Sequence, residues 1–126
     1  MENYLNLHLQ YLKEGRNLLK DKNYNQAGEK YWGAVATLIK AVADKKGKKL
    51  MSHGEIWKFI KEIADEMKEE GIINLFGSAN NLHQNYYEGW LPPEVVKKYA
   101  EDCEKLIDKL KKFYKLDENG ENQNKN

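Results

Sequence analysis

The segment from Gln26 to Ala41 constrains the fold most, because it reads as one long helix whose small and bulky residues are sorted by face. Ala27, Tyr31, Ala34, Leu38 and Val42 follow the three- and four-residue steps of a helix stripe, while Gly28, Gly33 and Ala36 leave room for neighbouring helices to come close. A helix with apolar contacts on more than one side belongs at the centre of a bundle. Glu29 and Lys30 lie beside that stripe, where a buried charge must be paired or face a cleft. They are candidates for a site, with a solvated helix edge as the plain alternative.

The flanking segments supply partners for this helix. Leu5, Leu9, Leu12 and Leu19, with Arg16 between the last two, trace one face of a first helix from about Asn3 to Lys20. Asn23 and Gln26 form a capping-box-like pair that opens the central helix, and so short a connection predicts antiparallel neighbours. The central helix is expected to run to about Lys45 and to end in Lys45-Lys46-Gly47-Lys48-Lys49, whose cations oppose the negative end of the helix dipole. That basic run is either a phosphate-binding patch or a solvated loop. Ser52 and Glu55 form a second capping box, with His53 in the first turn of a helix through Ile56, Phe59, Ile60, Ile63 and Met67 that stops near Gly71.

A further helix carries Ile72, Leu75, Phe76, Ala79, Leu82 and Tyr86 and ends around Gly89. Trp90-Leu91-Pro92-Pro93 follows, and the tandem proline both forbids continuation and starts the last helix. Val95 or Val96, Tyr99, Cys103, Leu106, Leu110 and Phe113 give that helix its apolar face. Strand patterns and internal repeats are missing. The prediction is an all-α, up-and-down helical bundle over residues 1–116, with four main helices and a short or broken extra one. Asp117 to Asn126 is polar without any apolar period and is expected to form a disordered tail.

Composition narrows the function classes. At 126 residues the chain is one domain, long enough to bury roughly two-thirds of its unfolded surface. Its net charge of +1 provides no whole-protein field for nucleic acid, and Arg16 is its only arginine, the residue best suited to forked phosphate recognition. A single cysteine, Cys103, excludes an intrachain disulfide, fits a reducing compartment and reads as a small buried hydrophobe. Without a bilayer-length apolar run or a leader pattern, the expectation is a cytoplasmic protein with no membrane contact. His8, His53 and His83 are too dispersed for a zinc site, so neither metal nor cofactor is called for. A Gly-rich phosphate loop after a strand and the motifs of a Ser-His-Asp triad are also missing.

The order of several pieces carries a resemblance. These are the helix with Ala27, Glu29-Lys30 and Ile39-Lys40-Ala41, the Ser52-His53 turn before an apolar helix, Leu82-His83-Gln84-Asn85-Tyr86-Tyr87-Glu88, and a final helix ending in Leu106-Ile107-Asp108-Lys109-Leu110. Together they resemble the HEPN (higher eukaryotes and prokaryotes nucleotide-binding) superfamily and, within it, the archaeal PaREP repeat-associated family. The resemblance covers nearly the whole chain before the tail. It implies an up-and-down helical bundle, commonly a homodimer, with a nucleotidyltransferase-like protein or RNA as further implied partners. HEPN nucleases carry an arginine, then a polar residue, then a histidine a few places later, on the helix that here ends near Tyr87. That arginine is missing; His83 occupies the neighbourhood, and Glu88 stands five residues later in place of the histidine.

Three functional readings follow. The leading one is a non-catalytic or degenerate HEPN-like dimer, acting as an interaction or nucleotide-linked accessory protein. Its self-association surface is expected around Trp57, Phe76 and Trp90, where apolar residues exceed what one bundle face must cover. The second is a metal-independent toxin-type endoribonuclease with His83 as general base, Asn80 and Tyr87 positioning from one helix face, and Lys30 as the stand-in cation. The third is a small-ligand pocket between helices drawing on Glu29, Lys30, Trp32, His83, Tyr87 and Glu88. The surroundings of His83 discriminate: exposure in a cleft beside a cation favours the nuclease, whereas enclosure and a bond to Glu29 favour a structural role.

Overall fold

The computed structural model describes residues 1–116, which form five helices: α1 (Glu2–Lys20), α2 (Tyr24–Lys45), α3 (His53–Met67), α4 (Gly71–Glu88) and α5 (Pro93–Phe113). Among the described residues there is no strand, and the fold is an all-α bundle. The expected tail, 117–126, lies outside the described residues. No helix among them is long and apolar enough to cross a membrane.

Helix directions can be read from side-chain partners. His8 meets Ala34 and Gly15 faces Tyr31, so numbers rise along α1 as they fall along α2 and the pair is antiparallel. Asn25 with Asn85 and Trp32 with Phe76 set α4 antiparallel to α2. Ser78 with Asp102 and Glu69 with Lys109 do the same for α4 and α5. Thus α1, α2, α4 and α5 run up, down, up, down, as predicted for the main helices. The extra helix, α3, departs from that pattern: His53 lies beside Trp32 and Glu66 beside Lys46, so α3 runs parallel to α2.

This direction gives the basic loop its task. Residues 46–52 must return along α2, a distance of about 20 Å from Lys45 back to Trp32, and an extended stretch of that length reaches about 23 Å. Lys46 pairs with Glu66 at 3.0 Å and Lys48 with Glu62 at 2.7 Å, while Lys45 donates to the Tyr114 carbonyl at 3.0 Å. The cations proposed for phosphate therefore largely fasten the returning strap to α3 and to the end of α5.

Helix α2 is central, with Ala27, Ala34, Val35, Leu38, Ile39, Ala41 and Val42 fully enclosed. Its small residues admit the neighbours. A Cβ on Gly28 would stand 3.2 Å from Leu82 Cδ2, and one on Gly33 would stand 3.0 Å from the Tyr11 ring. The α1 face is centred on Leu5, His8, Leu12 and Gly15, with Leu9 only half-buried. Arg16 points outward and forks onto Glu104 at 2.8 and 2.9 Å; Glu104 also accepts from the Tyr31 hydroxyl at 2.8 Å. Burial pushes the Glu104 carboxyl upward, but these hydrogen bonds outweigh it and hold the group below its usual range. His8 is wholly buried and donates from Nδ1 to the Ala34 carbonyl at 2.8 Å. Its Nε2 has no hydrogen-bond partner among the described residues, and burial pushes its pKa down to about 4 against the opposing pull of the Ala34 bond.

Several local expectations are refined. Glu55 N–H donates to Ser52 Oγ at 3.1 Å, so the second N-cap forms, with the return bond to the Glu55 carboxylate coming from Met51 N–H, one residue before the cap. The first does not: Asn23 bonds to the Gln26 side chain at 3.3 Å instead of a backbone N–H of α2. Helix α3 stops at Met67 instead of near Gly71 because Lys68 adopts a left-handed conformation (φ 56°) and Glu69 N–H closes onto the Ala64 carbonyl. Gly71 opens α4, and Gly89 (φ 66°) ends it. Val96 is the buried member of its pair. Cys103 is buried, which pushes its thiol up, out of the reactive range.

Candidate functional site

The site is assembled at the edge of the core where α2, α4 and the first turn of α3 meet. Ala79 and Leu82 face inward from α4, which leaves His83, one step beyond Leu82, at the margin of the packed stripe. Glu29 is similarly placed, one step beyond Gly28, whose missing side chain lets Leu82 approach. His83 Nδ1 donates to Glu29 Oε1 at 2.9 Å, with side-chain exposures of 20% and 28%. This bond fixes the imidazole's orientation and leaves Nε2 as the nitrogen with a lone pair when the ring is neutral.

Three rings enclose the pair's other side. Trp32 stacks on His83 with centroids 4.8 Å apart and planes 21° apart. His53 stacks on both, 5.3 Å from His83 and 5.5 Å from Trp32, and Tyr87 meets His83 edge-on at 5.6 Å. Behind them Phe76 supports Trp32 at 5.7 Å and Trp57 at 4.6 Å. Such near-parallel and edge-on contacts are each worth about 0.5–1.5 kcal/mol beyond burial. The cluster therefore also ties the start of α3 to the bundle. Phe76 is fully buried, so it belongs to the core and not to the surface patch predicted with Trp57 and Trp90.

The remaining candidates are dispersed around this centre. Lys30 turns away from His83's carboxylate partner to Glu14 at 2.9 Å and lies over the Tyr11 ring. Lys30 and Gln10 together hold the Glu14 carboxyl below its usual range. Asn80, one turn before His83, is half-buried, and Glu88 is exposed at the helix end. Tyr87 is 72% exposed beyond its one ring edge on His83 and its contact with Tyr86. Glu29, Lys30 and Trp32 do line a common cleft of about 570 Å³, together with Tyr11 and Tyr86, but His83, Tyr87 and Glu88 do not. Among the described residues no group of three or more His, Cys, Asp or Glu side chains is arranged to hold a metal ion.

Two residues escape the sequence reading. His53 is visible there only as a first-turn residue, since no spacing links it to His83. Asn85 is buried; its Oδ1 accepts from the Trp90 and Leu91 backbone at 2.8 Å each, and its Nδ2 donates to Asn25 at 3.1 Å. It thereby sets the α4–α5 link that presents Trp90. An amide one helical turn before a Gly-Trp pair is the available signal.

Residues 3–107, which contain all of these groups, match the model of the Archaeal PaREP1/PaREP8 family. The chain belongs to this family. The PaREP fold has a crystallographic counterpart in a protein from Sulfolobus solfataricus, 27% identical, with a TM-score of 0.71 over 82% of this chain and 92% of that one. No curated protein matches the chain. Within this PaREP bundle, the ring cluster brings two histidines, a tryptophan and a tyrosine into contact.

Proposed function

We propose that this PaREP protein is a HEPN-like, non-catalytic interaction module that forms a homodimer through the aromatic margin next to the ring cluster. One observation carries the reading: His83 is bonded to Glu29 and closed in by Trp32 and His53, while Tyr86 and Tyr87 beside it, and Trp90 just past the end of α4, keep 41%, 72% and 63% of their surface exposed. Large aromatics left in water beside a rigid polar cluster are the anchors of interfaces, not of cores. Met51 and Trp57, also exposed, extend the same apolar margin in composition. A stable dimer on this margin would bury on the order of 1,200–2,000 Å² in total. A nucleotidyltransferase-like protein is the proposed further partner, reading the outer surface of the dimer as an accessory subunit. Sedimentation of the wild-type chain and of Tyr87→Arg tests the proposal: the wild type should sediment as a dimer at micromolar concentration and the variant as a folded monomer.

A ribonuclease reading is supported by one feature, the imidazole oriented by Glu29 through Nδ1, which leaves Nε2 as the nitrogen that would act as the base. It lacks a counter-charge for a phosphate, because Lys30 is paired with Glu14 and Arg16 with Glu104. Cleavage of single-stranded RNA in EDTA that disappears in a stably folded His83→Ala variant would support this reading over the first.

A further inference from the structure

We propose that the cleft along the outer face of α2 binds a small aromatic oxyanion, a planar ring bearing a carboxylate or phosphate, with Lys40 as its anion contact. This cleft borders the His83 cluster, with which it shares Glu29 and Trp32, while His83 and Tyr87 lie outside it. The cleft, about 570 Å³, lies within the range of small-molecule pockets. Its floor is low because Gly33 and Ala36 carry little or no side chain, and its sides are aromatic, Tyr11 from α1 and Tyr86 from the end of α4. Aromatic walls favour a flat ring over a branched aliphatic group.

The charge arrangement selects an anion at the Lys40 end of the cleft, about 16 Å along α2 from the Glu29 carboxylate. Of the ionisable side chains on the cleft, Glu29 is engaged by His83 and Lys30 by Glu14. Lys40, half-buried one turn beyond Thr37, has no acidic partner among the described residues. The hydroxyls of Tyr11 and Tyr86 and the Gln26 amide nitrogen, on residues that line the cleft, make no hydrogen bond with the described residues. Thr37 spends its own proton on the Gly33 carbonyl at 2.7 Å. A cleft with an unmatched ammonium and surplus O–H and N–H donors is complementary to an acceptor-rich group, which an oxyanion is.

Phenyl phosphate and benzoate, with inorganic phosphate as the ring-free control, are titrated into the isotope-labelled protein and followed by amide chemical shifts. The expected result is saturable shifts at Gly33, Ala36 and Lys40 with one or both ring compounds, at least about tenfold tighter than inorganic phosphate. Lys40→Met should weaken binding about tenfold or more while Lys40→Arg retains it. Tyr86→Ser, at an exposed position that leaves the core intact, should weaken the ring compounds without changing the phosphate control. Shifts scattered over surface lysines, equal affinity for inorganic phosphate, or full binding by a folded Lys40→Met protein would each overturn the proposal. If Lys40→Met does not fold, the shift map and Tyr86→Ser decide. A protein that binds these probes yet sediments as a monomer would leave this site standing and remove the dimer.

Discussion

Acid should destabilise this protein through His8 before its carboxylates titrate. The ring is buried against α2 with Nδ1 bound to the Ala34 carbonyl, and its pKa is lowered from 6.5 to about 4. The folded state therefore holds His8 neutral, while the unfolded chain takes up a proton once the pH falls below about 6.5. Protonation favours the unfolded state, so stability is complete above that pH and declines as pH falls towards 4. It levels off below the folded value. The gap between 6.5 and about 4, at about 1.36 kcal/mol for each pH unit, gives a total of about 3 kcal/mol, most of it lost by about pH 4.5. The ion-paired Glu104 is held low and loses its contribution mainly further down. Urea unfolding of the wild type and His8→Asn at about pH 7.5 and about pH 4.5 isolates the effect, because Asn keeps an N–H donor where Nδ1 stood. The wild type should lose about 2–3 kcal/mol more than the variant between the two pH values. Equal losses in the two proteins would refute the reasoning.

Three further variants probe other parts of the fold. Ser52→Ala removes the side chain that caps α3 and should lower stability by about 1 kcal/mol in a thermal or urea melt. Lys68→Gly should raise it by about 0.5–1 kcal/mol, since Lys68 is held at φ 56°, where glycine is unstrained, and a lower melting point would show that the lysine contributes contacts of its own. Asn85→Ala leaves the Trp90 and Leu91 N–H groups without their acceptor and should cost about 2–3 kcal/mol, with faster amide exchange confined to the α4–α5 link.

The helices are legible in the sequence because each carries its own punctuation. Ser52 with Glu55, Gly89 and the Pro92-Pro93 pair act within a turn of chain, so local chemistry determines them. The close approaches at Gly28 and Gly33 are also readable, since a glycine weakens a helix interior and is best tolerated where a neighbouring side chain occupies the space of its missing Cβ. Direction is harder. Nothing within residues 46–52 states that the strap doubles back, because its lysines find Glu62 and Glu66 only after α3 has docked. The end of α3 is hidden as well: Gly71 is the better left-handed residue, yet Lys68 takes that conformation and Glu69 N–H closes the helix onto the Ala64 carbonyl. Glu29 and His83 both stand out in the sequence, and their bond follows from the α2–α4 register that Gly28 permits. His53 joins them through the doubled-back strap, a long-range consequence that no local pattern encodes.

The central claim, a non-catalytic module that self-associates beside an enclosed His83, is tested most directly by sedimentation equilibrium across the micromolar range. The wild type should fit a dimer, and Tyr87→Arg, at a residue 72% exposed in the isolated chain, should fit a monomer with an unchanged melting temperature. A monomeric wild type at every concentration, or a dimer that survives both Tyr87→Arg and Trp90→Ser, would contradict the account.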